Sequence, residues 1–350
     1  MGMKLFNLCK KKDILGFHGG FNLLEAYPIR FCNVIEKISS DVAPKQFVFN
    51  VPQHKVEQVV VNLCPTEPWA LPNWVTLAHD TSSFLDKLAA LRARCFPAAR
   101  VAIAISEKEG KHVIEAIKYA GNTDWMTAHP LNPKYPQNDP VVLSKVVLHT
   151  EVEFGADTTT QGILILDAQT IAAAYESNVL GNKVHSRFIA ISGTGLKENE
   201  VIRVELGATI GKLLGGRFKA NGAHRVFVNG PLCGREITDL SQEIDWSVNN
   251  IVVLEALNVK VMFPMIKQEE MSFTTNILGE VRQCVYCNFC DDICPMDLEP
   301  VLYYHSYTRG EGHKARSYNL GKCIECGLCS FICPSKLELL QTIKACKALD

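Results

Sequence analysis

Apolar positions in this chain fall into short runs set among stretches with a helical rhythm. Gln46-Phe47-Val48-Phe49, Val59-Val60-Val61 and residues 99–105, 141–148 and 162–166 are nearly continuous aliphatic or aromatic runs, and each is predicted to be a strand. Residues 83–94 and 111–120 repeat their apolar positions at the 3.6-residue period of amphipathic helices. Strands alternating with helices predict an α/β unit at residues 46–182, built on a mostly parallel sheet covered on both faces. From Arg187 the texture changes to short strands and many glycines. Residues 188–193, 201–204 and 225–230 read as strands and 209–214 as a short helix, which predicts a small α+β unit at 183–240. A connecting segment follows at 241–280, and a last module occupies 281–350. The first 45 residues are assigned to no unit.

The chain has 350 residues, 47% hydrophobic and 21% charged, with a formal net charge of -1. That composition suits a globular chain with a sizeable core. The neutral balance argues against nucleic acid as a partner, because phosphate binding needs a basic surplus. No apolar run approaches the roughly 20 residues of a membrane span. The first residues lack the apolar core and cleavage site of an export signal. A cytoplasmic chain, soluble or peripheral to a membrane, is expected. Lys10-Lys11-Lys12 reads as a solvated charge run.

Cysteine changes the picture. Of 14 in the chain, eight form two groups with one spacing: Cys284-x2-Cys287-x2-Cys290-x3-Cys294-Pro295 and Cys323-x2-Cys326-x2-Cys329-x3-Cys333-Pro334. Three closely spaced thiolates wrap one corner of an iron–sulfur cubane, and the fourth, before proline, is aimed elsewhere. In two-cluster ferredoxins that fourth cysteine ligates the other cluster. Cluster I is therefore expected on Cys284, Cys287, Cys290 and Cys333, and cluster II on Cys323, Cys326, Cys329 and Cys294. Zinc also binds CxxC pairs, but it needs four ligands and leaves this set with a surplus. The segment between the motifs is long, and 298–307 and 314–320 look helical, so a helical two-[4Fe–4S] ferredoxin module is predicted. Tyr286, Phe289, Ile324 and Leu328 lie between ligands and are expected to shield the clusters from water, or to be core. His305 and His313 are expected at the surface. Cys9, Cys32, Cys64, Cys95, Cys233 and Cys346 read as isolated small thiols.

Other motifs are weaker. The stretch Gly207 to Leu213 is one residue short of a phosphate loop and has Leu213 where Ser or Thr should stand. Gly193-Thr194-Gly195 lacks a third glycine. No catalytic triad is legible, and no catalytic residue is assigned.

Several short segments, in order, resemble one family. Asn62-Leu-Cys-Pro-Thr-Glu67-Pro68-Trp69 is similar to an Asn-x-x-x-x-Glu-Pro-aromatic turn after a strand. Lys134-Tyr135-Pro136-Gln137 resembles a Lys-Tyr-Pro-x loop, and Asn229-Gly230-Pro231-Leu232-Cys233-Gly234 a Gly-Pro-x-x-Gly turn. With the cysteine module, they make the chain resemble the C subunit of Rnf complexes and the A subunit of the Na⁺-translocating NADH:quinone reductase. More distantly it resembles the flavin subunit of respiratory complex I. The resemblance implies a Rossmann-like domain of the complex I flavin type at 46–182, a β-grasp (soluble-ligand-binding) domain at 183–240, and the module at 281–350.

The departures narrow what is implied. The family's glycine-rich Gly-x-Gly-Gly-x-Gly-Phe-Pro-Thr loop has no counterpart here, and Gly16-Phe17-His18-Gly19-Gly20 resembles instead the family's N-terminal Gly-Gly-x-His segment. Asn138-Asp139-Pro140 stands where the family shows Gly-Gly-Glu, and Asp167 where it shows Asn. A flavin phosphate needs backbone N–H groups at a glycine loop and a helix start. FMN and NADH are therefore expected to be unbound. The expected protein is an electron-transfer subunit of a larger Rnf- or Nqr-like complex, peripheral on the cytoplasmic face, whose partners include membrane subunits and which takes no small-molecule substrate of its own. The alternatives are an NADH-oxidising FMN subunit with a remodelled loop, and a soluble electron-transfer component of a cytoplasmic cobalamin or methylenetetrahydrofolate reductase.

Overall fold

The structure is a computed structural model. It describes residues 33–255 and 281–349, apart from 42, 65, 68–69, 71–80, 108–110, 120–123, 133 and 221–222. Lys10 to Lys12, Gly16 to Gly20, Cys9, Cys32 and Trp69 lie outside the described residues.

Four strands form a wholly parallel sheet in the order β4-β3-β2-β5: β2 (Gln58–Leu63), β3 (Arg100–Ser106), β4 (Met126–Leu131) and β5 (Ile163–Asp167). Successive side chains alternate between its faces. Val59, Val61, Leu63, Val101, Ile103 and Ile105 meet helices α1 (Thr81–Cys95) and α4 (Ala168–Asn178) on one side. Val60, Ala102, Ala104 and Ile163 meet α3 (Pro140–Leu148) on the other. Both faces are dry, which is why the strands read as unbroken apolar runs. Helix α2 (Lys111–Tyr119) precedes β4.

Two expectations in this unit are corrected. Residues 141–148 are not a strand but helix α3, whose first turn is set by Pro140 and by Asp139 accepting from the N–H groups of Val141 and Val142. Apolar residues fill the helix except at Ser144 and Lys145, too few polar positions to mark an amphipathic period and distinguish it from a strand. Residues 46–49 contribute only an isolated bridge, Phe47 to Val184.

A second, mixed sheet has the order β1-β7-β6-β10-β8-β9. Its strands are β1 (Asn33–Ile38), β6 (Ser186–Ser192), β7 (Glu200–Glu205), β8 (His224–Val228), β9 (Arg235–Ile237) and β10 (Asn250–Glu255). One face closes on the short helix α5 (Ile210–Leu214) through Ile189, Ile191, Ile202, Val226 and Leu213. The unit is larger than the 183–240 expected, because β1 comes from the N-terminal segment and β10 from the segment read as a connector.

The C-terminal module contains α6 (Phe289–Asp292), α7 (Pro300–Thr308), 3₁₀ turns at Gly312–Tyr318 and Leu320–Lys322, α8 (Leu328–Ile332) and α9 (Leu339–Ala348). Its core gathers Leu298, Tyr303, Ala315, Leu337 and Ile343 around Cys290 and Cys329. The module is wedged against both sheets. Ile324 and Met296 pack with α3 and the parallel sheet, while Ile293, Leu328 and Phe331 pack on Phe227, Val252 and Leu254 of the mixed sheet. Among the described residues, no helix is long and apolar enough to cross a membrane.

Candidate electron-transfer site

The two cysteine motifs are built alike, and the backbone repeats with them. Tyr286, Asn288 and Asp297 adopt positive φ of 51°, 58° and 51°, and the matching positions Glu325, Gly327 and Lys336 have 56°, 78° and 56°. A left-handed residue between ligands turns the chain sharply enough to bring thiols spaced two apart to one side. Five of these six are not glycine, so the strain is held by the surrounding packing.

The thiols sort into two fours. Cys284, Cys287, Cys290 and Cys333 line one small pocket, walled by Val301, Tyr304, Pro334 and Leu339. The remaining four lie close enough for their charges to disfavour one another: beyond burial, Cys326 is raised by Cys329, Cys294 and Cys323, and Cys329 by Cys323 and Cys294, with Cys290 of the first set next. In each four, the odd member comes from the other motif. Burial pushes Cys294 and Cys323 above the ordinary thiol range, a cost that binding iron as thiolate would relieve. N–H groups point at sulfur as well, Leu298 N to Cys294 Sγ at 3.4 Å and Glu325 N to Cys323 Sγ at 3.5 Å. A four-thiolate set in an apolar wall with N–H···S donors fits a [4Fe–4S] cluster, and bonds of this kind tune its potential.

Residues 283–337 match the family model of the 4Fe-4S dicluster domain. The chain is 24% identical to the C subunit of the Na⁺-translocating ferredoxin:NAD⁺ oxidoreductase complex of Acetobacterium woodii, over 77% of this chain and 57% of that protein. It is 26% and 27% identical to the C subunits of the ion-translocating oxidoreductase complexes of Pectobacterium carotovorum and Erwinia tasmaniensis, over 76% of this chain but 33% and 31% of theirs. The chain is a relative of these proteins. It spans between about a third and just over half of the length of the curated relatives it matches. A chain of the NAD⁺-reducing [NiFe]-hydrogenase superposes with a TM-score of 0.46 at 12% identity, covering 58% of this chain and 41% of that one. The C-terminal module of this relative of the Rnf C subunit is thus a dicluster iron–sulfur domain, and two [4Fe–4S] clusters are its cofactors.

The residues expected to shield the clusters divide. Ile324 and Leu328 are buried, at 5% and 0% exposure, but against the two sheets. Tyr286 is 61% exposed, which corrects its assignment as a shield. It stacks on His305 at 4.6 Å, so His305 is half-buried rather than at the surface. Asp139 and Asp167 each cap a helix. Asp167 accepts from the Thr170 N–H at the start of α4, and burial raises Asp139 to about 6.

One cluster of side chains was not legible in the sequence. Glu67, in the Glu-Pro turn after β2, is 4% exposed and receives the N–H groups of Leu232 and Cys233 at 2.9 Å each. Its Oε1 also accepts from the Cys233 thiol at 2.7 Å. Gly230 makes this possible, since a Cβ there would lie 2.0 Å from Glu67 Oε2. Burial outweighs these donors and raises Glu67 to about 7. Tyr135, from the Lys-Tyr-Pro loop, donates to the backbone oxygen of Cys326 at 2.7 Å. Cys233 is exposed as a residue, but its thiol is turned inward onto Glu67.

Proposed function

We propose that this chain is the electron-transfer iron–sulfur subunit of a multi-subunit, Rnf- or Nqr-like oxidoreductase, peripheral on the cytoplasmic face of a membrane and without a flavin of its own. Cluster I is held by Cys284, Cys287, Cys290 and Cys333, and cluster II by Cys323, Cys326, Cys329 and Cys294. The observation that carries this reading is the crossed sorting of the eight thiols, which makes both motifs one folding unit. The parallel sheet is then a Rossmann-like domain of the complex I flavin type, and the mixed sheet a β-grasp domain. Both serve as the bed in which the module lies.

The absence of flavin is supported by two aspartates. At the starts of α3 and α4, Asp139 and Asp167 occupy the backbone N–H groups that a phosphate would need. Their negative charge repels it besides. The test is an optical spectrum of the anaerobically purified protein. A broad band near about 400 nm, the sulfur-to-iron absorption of such clusters, is expected with no flavin shoulders. Flavin released on denaturation, together with bleaching of the clusters by NADH, overturns the flavin-free reading in favour of an NADH-oxidising subunit.

A further inference from the structure

The two clusters share one kind of ligand set but not one environment. Around cluster I, Cys284 and Cys287 flank Val285 and Tyr286, which stand in solvent. Cluster II lies where the module meets both sheets, behind Ile324 and Leu328. Burial there raises Cys294, Cys323, Cys326 and Cys329 as thiols. A wall that disfavours a thiolate also disfavours an added electron, because both are negative charge held away from water. Burial alone would leave the inner cluster the harder of the two to reduce.

Two side chains from outside the second motif act against this. Tyr135, in the loop after β4, is buried, and its hydroxyl donates to the Cys326 carbonyl at 2.7 Å. Its ring is fixed among Phe227, Val252 and Leu254 of the mixed sheet and Leu328 and Phe331 of the module. Lys347, in α9, donates through Nζ to the Cys323 carbonyl at 2.7 Å and to Glu325 Oε1 at 2.9 Å. The same ammonium lies 4.2 Å from the ring centre of Phe154, in the segment after α3. Lys344 Nζ stands 3.8 Å from Glu325 Oε2, so two cations face one carboxylate and the balance there is positive. That charge is felt at the ligand sulfur: burial raises Cys323, while the Glu325 N–H and the Lys347 ammonium oppose the rise.

We propose that Tyr135 and Lys347 are positioning residues that keep cluster II reducible in its apolar bed, so that an electron arriving on cluster I passes inward. The proposal rests on the reading of the chain as an electron-transfer subunit. A one-electron donor protein reduces cluster I; cluster I then returns to its oxidised state as cluster II takes up that electron. Tyr135 and Lys347 act through the Cys326 and Cys323 backbone. A donor on a ligand's carbonyl puts positive charge beside the cluster and draws electron density from the adjoining peptide. Both effects favour the state that carries the extra electron.

A redox titration of the cluster-loaded protein, followed by cluster-resolved EPR, tests this. Tyr135→Phe keeps the buried ring and removes the hydroxyl; Lys347→Met keeps the length and removes the charge. Each should lower the midpoint of cluster II and leave that of cluster I in place. At the wild-type midpoint of cluster II, its ratio of reduced to oxidised form should fall by up to roughly tenfold, the scale of one hydrogen bond. Lys347→Arg, which keeps both donor and charge, should hold the wild-type midpoint. Midpoints of cluster II unchanged in Tyr135→Phe and Lys347→Met, or both clusters shifted equally, overturn this proposal alone. Loss of iron from Tyr135→Phe makes that residue a structural anchor and overturns its part, while Lys347→Met against Lys347→Arg still decides the other. A wild type that gives no reduced-cluster signal at any potential overturns the electron-transfer reading as well.

Discussion

The two cysteine motifs carry the same spacing and the same left-handed backbone positions, but they live in different surroundings. Val285 in the first motif is 65% exposed, while Ile324, its counterpart in the second, is 5% exposed. Tyr286 stands in solvent; the matching Glu325 is tied to Lys347, whose Nζ donates at 2.9 Å and also reaches the Cys323 carbonyl at 2.7 Å. Phe289 is half-buried and Leu328 fully buried. A duplicated motif has thus produced an outer half and an inner half. The outer half leaves Val285 and Tyr286 open to solvent. The inner half is pressed against both sheets and ends beside Tyr135, Cys233 and Glu67. Identical ligand chemistry fixes what each site binds, and the packing around it fixes what each site can meet.

The largest effect should come from breaking the crossing. Cys294→Ser should destroy the inner cluster and spare the outer, and Cys333→Ser the reverse. Cluster-resolved EPR of the reduced proteins checks this; loss confined to the variant's own motif would contradict the crossed assignment. Next comes the packing contrast. Ile324→Ala should destabilise the cluster-loaded protein by about 2–5 kcal/mol, the usual cost of emptying a buried aliphatic site. Val285→Ala should stay within about 0.5 kcal/mol, as exposed positions do. Urea unfolding of both variants decides it, and equal losses would erase the inner–outer distinction.

The smallest effect concerns Glu67, beside the inner half. Its pKa in the folded protein, about 7, lies above the unfolded value of 4.5, so the native state holds the proton to higher pH. Stability should therefore fall as pH rises through this window and level off above it. From about pH 5.5 to about pH 7 the fall attributable to Glu67 is roughly 2 kcal/mol at most, by linkage. Glu67→Gln should show a flatter curve, and the difference between the two proteins isolates this group. Parallel curves would mean that Glu67 is not held neutral.

How much of this could be read from residues alone depended on how local the signal was. The cysteine spacing is local, and it announced the dicluster module. Strands β2, β3 and β5 and helices α1 and α2 followed from periodicity. Strand β4 escaped notice because Met126-Thr-Ala-His129-Pro130-Leu131 is polar and contains proline, as an edge strand tolerates. Helix α3 was misread, although Asp139-Pro140 is a helix-start signal, because Ser144 and Lys145 alone interrupt its apolar run and leave little amphipathic pattern. The pairing of Glu67 with Cys233 spans 166 residues and has no local signature at all. The Glu-Pro turn and the Gly-Pro-x-x-Gly turn were visible separately. What the fold adds is that one is the socket of the other.

Strand β1 has a consequence for how the chain is made. It pairs with β7 in parallel register, Asn33 opposite Glu200, and everything in the parallel sheet lies between them. The α/β unit is therefore an insertion within the mixed sheet, its entering and leaving segments joined by one bridge, where Phe47 N donates to the Val184 carbonyl at 2.8 Å, and Phe47 stacks on Trp246 at 3.9 Å. On the ribosome, at roughly 5–20 residues per second, β1 would wait on the order of 10–30 s for its partner. The inserted unit can fold during that interval with its two ends already close, and the mixed sheet can close only afterwards. Assembly is in this sense ordered from the inside out, and the bed for the iron–sulfur module is complete only once β10 has been threaded between β6 and β8.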